Sequence, residues 1–173
     1  KTAAYLLPLM MKLRYAQGAD VRAVILVPTK ELVVQVAAQA TALAKYTDLR
    51  IVAIYGGVGP KTQIEEINKG LDLLIATPGR FLELYQRNEL PVKQIKTLIL
   101  DEGDRMMDMG FMPQLRKERI YNGRKHPGNP VVTARFRNDT SLTLERGPMR
   151  SDQLRLNSVK SLPCTPSWSG VRW

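Results

Sequence analysis

Three carboxylates, Asp101, Glu102 and Asp104, follow the run Thr97-Leu98-Ile99-Leu100, with Gly103 set among them. Such a run reads as a buried strand that delivers the acids to the rim of a sheet. Acids at the C-terminal end of a parallel strand stand where open α/β sheets bind ligands. One carboxylate there can hold Mg²⁺ while its neighbour orients or deprotonates an attacking water. The same residues also suit a strand followed by a polar turn, since Asp and Gly favour turns. The other motifs decide between the two.

Three stretches bring hydroxyl, basic and small residues to strand ends. Pro28-Thr29-Lys30-Glu31-Leu32 joins a strand to a helix, and its hydroxyl, ammonium and free helix-start N–H groups suit a phosphate. Thr77-Pro78-Gly79-Arg80 repeats the device. Gly56-Gly57 ends the strand between them, and glycine lets a nucleic-acid backbone approach closely. Each stretch alone is explained by capping at a βα turn. Together they describe a phosphodiester track along one rim. Lys1-Thr2 precedes a helix; a Lys followed by a hydroxyl in that position can meet β/γ-phosphates and Mg²⁺, although two residues carry little specificity by themselves. Met106, Met107, Met109 and Met112 read as core packing, and Arg105 and Arg116 as solvated.

The elements that must position these groups follow from periodicity. Helices are expected over 2–14 and 31–46, the second with Leu32, Val36, Ala40 and Leu43 on its apolar face. A third spans 61–69, with Ile64 and Ile67 inward and Gly70 as its C-cap. A fourth starts with Thr77 as N-cap and Pro78 in the first turn, and turns Phe81, Leu82, Leu84 and Tyr85 inward. Strands are expected over 24–27, 51–54, 71–76 and 97–100, nearly all apolar. Alternating strands and helices of this kind predict an α/β fold, a parallel β-sheet flanked by helices on both faces. Past Lys117 the alternation stops. The stretch 118–173 is rich in Arg, Pro, Ser and Asn, holds Trp168 and Trp173, and offers only Val131-Val132 as a short strand; its apolar density is too low for a core of its own.

With 173 residues the chain can form one domain with a real core. A single cysteine, Cys164, excludes an internal disulfide, and a single histidine, His126, excludes a multi-histidine metal site. No apolar run reaches membrane-spanning length, and a cytoplasmic setting is expected. The formal net charge of +10 favours an anionic partner, nucleic acid first. Residues 1–117 carry 16 basic and 12 acidic side chains, a net of +4, and the shorter remainder carries 10 and 4, a net of +6.

In order and approximate spacing, Pro28–Leu32, Gly56-Gly57, Ala76–Arg80 and Leu98–Asp104 resemble a DEAD-box RNA helicase, most of all the bacterial subgroup, and Asp104-Arg105-Met106-Met107-Asp108-Met109-Gly110-Phe111 continues the match. The resemblance covers residues 1 to about 117. It implies a RecA-like N-terminal lobe of the P-loop NTPase type, binding ATP with Mg²⁺ and single-stranded or locally opened RNA. It makes Lys1 and Thr2 the end of the phosphate-binding loop, with Thr2 toward Mg²⁺. Asp101 would bind Mg²⁺ through water, Glu102 would be the base that polarises the attacking water, and Asp104 would couple this site to the next motif. Thr29, Lys30, Gly57, Thr77, Gly79 and Arg80 would contact the RNA backbone.

The departures from the family pattern are specific. Gly103 stands where the family has Ala. Lys30 stands where Arg is usual, which keeps the charge and loses the bidentate fork. The glycines ahead of Lys1, the adenine-reading segment, a Ser-Ala-Thr motif and a second RecA-like lobe with its arginine finger have no counterpart here; Val131–Arg135 falls about where the Ser-Ala-Thr strand belongs. The expectation is therefore a truncated lobe over 1–117, inefficient alone in ATP hydrolysis and strand separation. A basic, irregular C-terminal tail, disordered or out of frame, would follow over 118–173. The rival expectation is a non-catalytic RNA-binding module that keeps the basic rim and tail.

Overall fold

The computed structural model describes residues 2–92, 94–111, 131–135 and 141–144. Lys1, Met112, Arg116, His126, Cys164, Trp168 and Trp173 lie outside them, as does most of the expected tail. In chain order the elements are α1 (Thr2–Leu13), β1 (Ala23–Leu26), α2 (Lys30–Leu43), β2 (Ile51–Ile54), α3 (Pro60–Asn68), β3 (Leu73–Ala76), α4 (Pro78–Gln86), β4 (Thr97–Leu100), α5 (Gly103–Asp108), β5 (Val131–Arg135) and β6 (Ser141–Leu144). One sheet runs in the order β2-β3-β1-β4-β5-β6. All its pairs are parallel except β5 with β6. The strand at Val131 is real and lies beside β4, and β6 extends the same sheet beyond it.

Every residue of β1, β3 and β4 is buried, as strands covered on both faces require. Side chains alternate between two cores. Val24, Leu26, Leu74, Leu98 and Leu100 pack with Phe81 and Leu84 of α4 on one face. Ala23, Ile25, Leu73, Ile75 and Ile99 pack with Leu6, Leu9, Val33, Val36 and Ala40 of α1 and α2 on the other. The face of α2 is rotated from the expected one: Val33, Val36 and Ala40 are buried, while Leu43 is 38% exposed. Leu32, Val33, Val34, Val36 and Ala37 make this helix apolar over more than half its circumference, so periodicity alone does not choose the buried arc. Of the described methionines expected in the core, Met106 is buried while Met107 and Met109 are exposed, because α5 is a single short helix with one face against the sheet.

The N-terminal edge of the sheet is tied by a charged knot that the sequence reading did not anticipate. Asp72, fully buried, accepts from Arg22 at 2.8 Å and from Arg50 Nε at 2.9 Å. It also accepts from the backbone N–H groups of Gln17 at 3.0 Å and Arg50 at 3.1 Å. Arg22 spends its remaining donors on the carbonyls of Leu13 and Tyr15 and on Gln17 Oε1. Burial alone would raise the Asp72 pKa; the hydrogen bonds from Arg50, Gln17 and Arg22 outweigh it and hold the carboxyl down at about 2. Gly70 ends α3 at a φ of 92°, a conformation that favours glycine, and a Cβ there would displace the Arg50 guanidinium.

Candidate functional site

Register places the site. Ile51, Leu73, Ala23 and Thr97 stand side by side, and so do Ile54, Ala76, Leu26 and Leu100, so four parallel strands end on one line. The next residues stay tied across it: Thr77 N–H donates to Ile54 O at 3.1 Å, Val27 N–H to Ala76 O at 3.0 Å and Asp101 N–H to Leu26 O at 3.0 Å. The rim therefore reads Gly57, Thr77, Thr29, Asp101 in space, although the chain visits these strands in the order β1, β2, β3, β4. Strand order reverses between β1 and β4, and such a switch point opens the crevice in which α/β sheets bind ligands. Thr29-Lys30 flank it on one side and Asp101-Glu102 on the other.

The acids are held in three different ways. Asp101 accepts from Tyr5 Oη of α1 at 2.9 Å, so α1 is fastened to the end of β4. Glu102 adopts a left-handed backbone, φ 55° and ψ 48°, which costs a non-glycine residue on the order of 1 kcal/mol. The turn carries its carboxylate into a half-buried position where, among the described residues, Oε2 has no hydrogen-bond partner and pairs with Arg105 Nη1 at 3.6 Å. Asp104 Oδ1 is likewise buried and has no hydrogen-bond partner among the described residues. Two buried carboxylate oxygens that accept no hydrogen bond among the described residues, one on a strained backbone, mark a place built to meet something else. Arg105, expected to be solvated, is exposed but stands beside Glu102.

The three basic turns differ in what they leave available. Thr29 is the N-cap of α2 and its Oγ1 accepts from Leu32 N–H at 3.4 Å, leaving its hydroxyl proton to donate. Lys30 is exposed and only loosely placed against Glu31, at 3.8 Å. Thr77 occupies the N-cap position of α4 but its side chain makes no capping bond. Gly57, at a φ of 88°, requires glycine for its backbone and faces open space. Gly79 is exposed, with the ring of Phe111 3.7 Å from where a Cβ would stand.

Arg80 departs from the expectation of a guanidinium presented to RNA. It is 8% exposed. It donates to Tyr55 O at 3.2 Å, to Val58 O and to Glu83 Oε2 at 2.8 Å. Gln63 of α3 donates to the same Tyr55 carbonyl at 3.1 Å. Two helices thus pin the turn that carries Gly57. Replacing Arg80 by alanine is expected to free that turn: amide exchange across residues 55–59 should quicken by at least tenfold, the loss of about 1.4 kcal/mol of local bonding, with strands β1 and β4 unchanged. Unaltered exchange at 55–59 would show that Arg80 does not hold the turn.

Among the described residues no group of three or more His, Cys, Asp or Glu is arranged to hold a metal ion. Mg²⁺ keeps waters and phosphate oxygens and takes only one or two protein ligands. Thr2 begins α1, one turn ahead of the Tyr5 that reaches Asp101. The donors in place are hard oxygens at a rim beside basic turns, as a nucleotide–Mg²⁺ complex requires.

Residues 1–134 match the family model of the DEAD/DEAH box helicases. The chain belongs to this family. A DEAD-box ATP-dependent RNA helicase, 52A, of Oryza sativa is 39% identical over 142 residues, 72% of this chain and 24% of the relative. The ATP-dependent RNA helicase RhlB of Pseudomonas putida is 41% identical over 124 residues, 68% of this chain and 31% of the relative. The crystal structure of the yeast DEAD-box splicing factor Prp28 superposes with a TM-score of 0.69 at 28% identity, over 77% of this chain and 33% of that one. The chain spans about a quarter to a third of the length of these curated relatives. The fold is that of RecA-like DEAD-box domains, as the motif spacing implied.

Sequence reading of this DEAD/DEAH box chain missed Tyr5, Gln63 and the Asp72 knot. Asp72 left a usable trace, since an acid directly before the apolar run Leu73–Ala76 must be buried with a partner. Nothing in the sequence pairs Tyr5 with Asp101.

Proposed function

We propose that this chain forms the N-terminal, ATP-binding part of a DEAD-box RNA helicase, in which ATP hydrolysis drives local separation of RNA strands. The observation that carries the reading is the single rim on which Gly57, Thr77 and Thr29 adjoin Asp101 and Glu102. RNA backbone and nucleotide phosphates would lie side by side there, with strand order alone separating them.

Lys1 and Thr2 would meet the nucleotide phosphates, and Asp101 with Thr2 would hold Mg²⁺, Asp101 through water. Bound there, Mg²⁺ neutralises charge on the phosphates. Tyr5 keeps the Asp101 carboxylate in one orientation. Glu102 accepts the proton of the attacking water through the oxygen that accepts no hydrogen bond from a described residue, and Asp104 relays the state of the site to neighbouring elements. Thr29, Lys30, Thr77 and the backbone at Gly57 and Gly79 hold successive phosphates, while Arg80 acts through the turn it pins. No helix among the described residues is long and apolar enough to cross a membrane, and we place the protein in the cytoplasm, where RNA and ATP are both at hand.

The direct test is thermal unfolding of the 173-residue chain with and without Mg²⁺–ATP. A ligand at 100 times its dissociation constant stabilises by about 2.7 kcal/mol, which raises Tm by roughly 5–10 °C at this size. No shift with Mg²⁺–ATP, together with intact RNA binding, would instead mean a non-catalytic RNA-binding module. RNA contact is tested separately by fluorescence anisotropy with a labelled single strand over a salt series. Lys30→Ala should weaken binding and make the slope of log affinity against log salt shallower by about 0.7, the loss of one phosphate contact. An unchanged slope would move the track away from Lys30.

A further inference from the structure

The edge of the sheet opposite the rim carries a cavity of about 150 Å³, lined by Lys12, Arg14, Tyr15, Arg22, Lys96 and Thr97 with neighbouring apolar and polar groups. Arg22 is not available to a ligand: its donors are taken by Asp72, Leu13 O, Tyr15 O and Gln17. It is the rigid floor. Lys12, Arg14 and Lys96 are exposed and make no ion pair with any described residue. No carboxylate lines the cavity among the described residues. The acids nearest in the bonding pattern are committed, Asp72 to two arginines and Asp48 to the backbone N–H of Ala16. Asp72 between Arg22 and Arg50 leaves that knot itself with one positive charge in excess.

A further feature points to a particular ligand. Tyr15 lines the cavity yet is 54% exposed, and Arg22 fixes its backbone by donating to its carbonyl. An aromatic ring held half in solvent beside three cations that pair with no described residue is the arrangement that receives a base and its phosphate. Arg14 closes α1 in a left-handed conformation, φ 61°, with its N–H donating to Met10 O at 2.8 Å, an ordinary helix ending.

We propose that this pocket binds one nucleotide unit of single-stranded RNA, the phosphate on Lys12, Arg14 and Lys96 and the base stacked on Tyr15, as a second contact surface independent of the rim. The test is NMR titration of the 173-residue chain with a short oligoadenylate and, in a parallel arm, with inorganic pyrophosphate. The expected result is saturable shifts of the amides of Leu13–Gln17 and Lys96 with oligoadenylate, together with a ring-current shift at Tyr15. Tyr15→Ala should weaken this binding about tenfold without lowering Tm, since the ring is largely solvated. The Arg14→Asn and Lys96→Gln variants, the first chosen because Asn tolerates the left-handed backbone, should each weaken both ligands. Three results overturn the proposal: no saturable shift around the pocket, shifts confined to Thr29, Gly57 and Thr77, or pyrophosphate binding as tightly as oligoadenylate with no effect of Tyr15→Ala. The last would mean a free-anion pocket. Shifts at the pocket with a silent rim would uphold it while removing the RNA track proposed for the rim.

Discussion

Replacing Asp72 by alanine is expected to destabilise the fold by about 3–5 kcal/mol. The carboxylate is the shared acceptor for Arg22, Arg50 and two backbone N–H groups, and its loss leaves the Arg22 guanidinium buried beside an empty site. Breaking a buried ion pair by removing one partner costs that much because the surviving charge is uncompensated. Asp72→Asn separates charge from shape. The folded-state pKa, about 2, lies below the ordinary 3.8, so the contribution is fully present above the ordinary value. It is lost as the pH falls from there through the folded value. The shift corresponds to about 2 kcal/mol. Unfolding measured by circular dichroism should show a large gap between the native chain and the Asn variant at pH 6, narrowing steadily between pH 4 and pH 2. A gap that stays constant over that interval would refute the assignment of the depressed pKa to Asp72.

Replacing Glu102 by glutamine is expected to lower ATP hydrolysis by about 10²–10⁴-fold while nucleotide affinity stays within a few-fold, measured in a polypeptide that joins this chain to a phosphate-binding loop and a second RecA-like lobe. The range is the usual contribution of a positioned general base. The geometry favours this residue over its neighbours. Asp101 is engaged by Tyr5, whereas Glu102 Oε2 has no hydrogen-bond partner among the described residues and sits on a left-handed backbone that turns it off the line of the helix. Glutamine keeps the shape and cannot take the proton. Hydrolysis at the native rate would remove Glu102 from the role, and a parallel loss of nucleotide binding would reassign it to holding the ligand. Asp104→Asn provides the contrast: if Asp104 couples rather than catalyses, its variant should hydrolyse ATP and fail to link hydrolysis to RNA.

The sequence by itself determined the fold class and which residues stand at the strand ends. Four short apolar strands separated by amphipathic helices admit little besides a covered parallel sheet, because each strand's backbone must be paired and both its faces buried. Hydroxyl, glycine, basic and acidic residues at the ends of those strands then announce the rim, since parallel strands in a common register all end on one side. The elements formed within a few residues of where periodicity places them, and even the weak signal at Val131-Val132 became a strand beside β4.

Tertiary structure alone decided which of these groups meet. Spatial order β2-β3-β1-β4 sets Thr29 against Asp101, 72 residues later in the chain, and no local pattern encodes strand order. Burial decided the fate of the cations. Lys30 and Arg80 look alike as charges at strand ends, yet Lys30 projects into solvent and Arg80 is folded inward to hold a turn by three acceptors. Tyr5 reaches Asp101 across 96 residues, and Asp72 gathers arginines 50 and 22 residues away. A hydrogen bond depends on a separation of about 3 Å, and that separation exists only once the sheet has brought its strands into register.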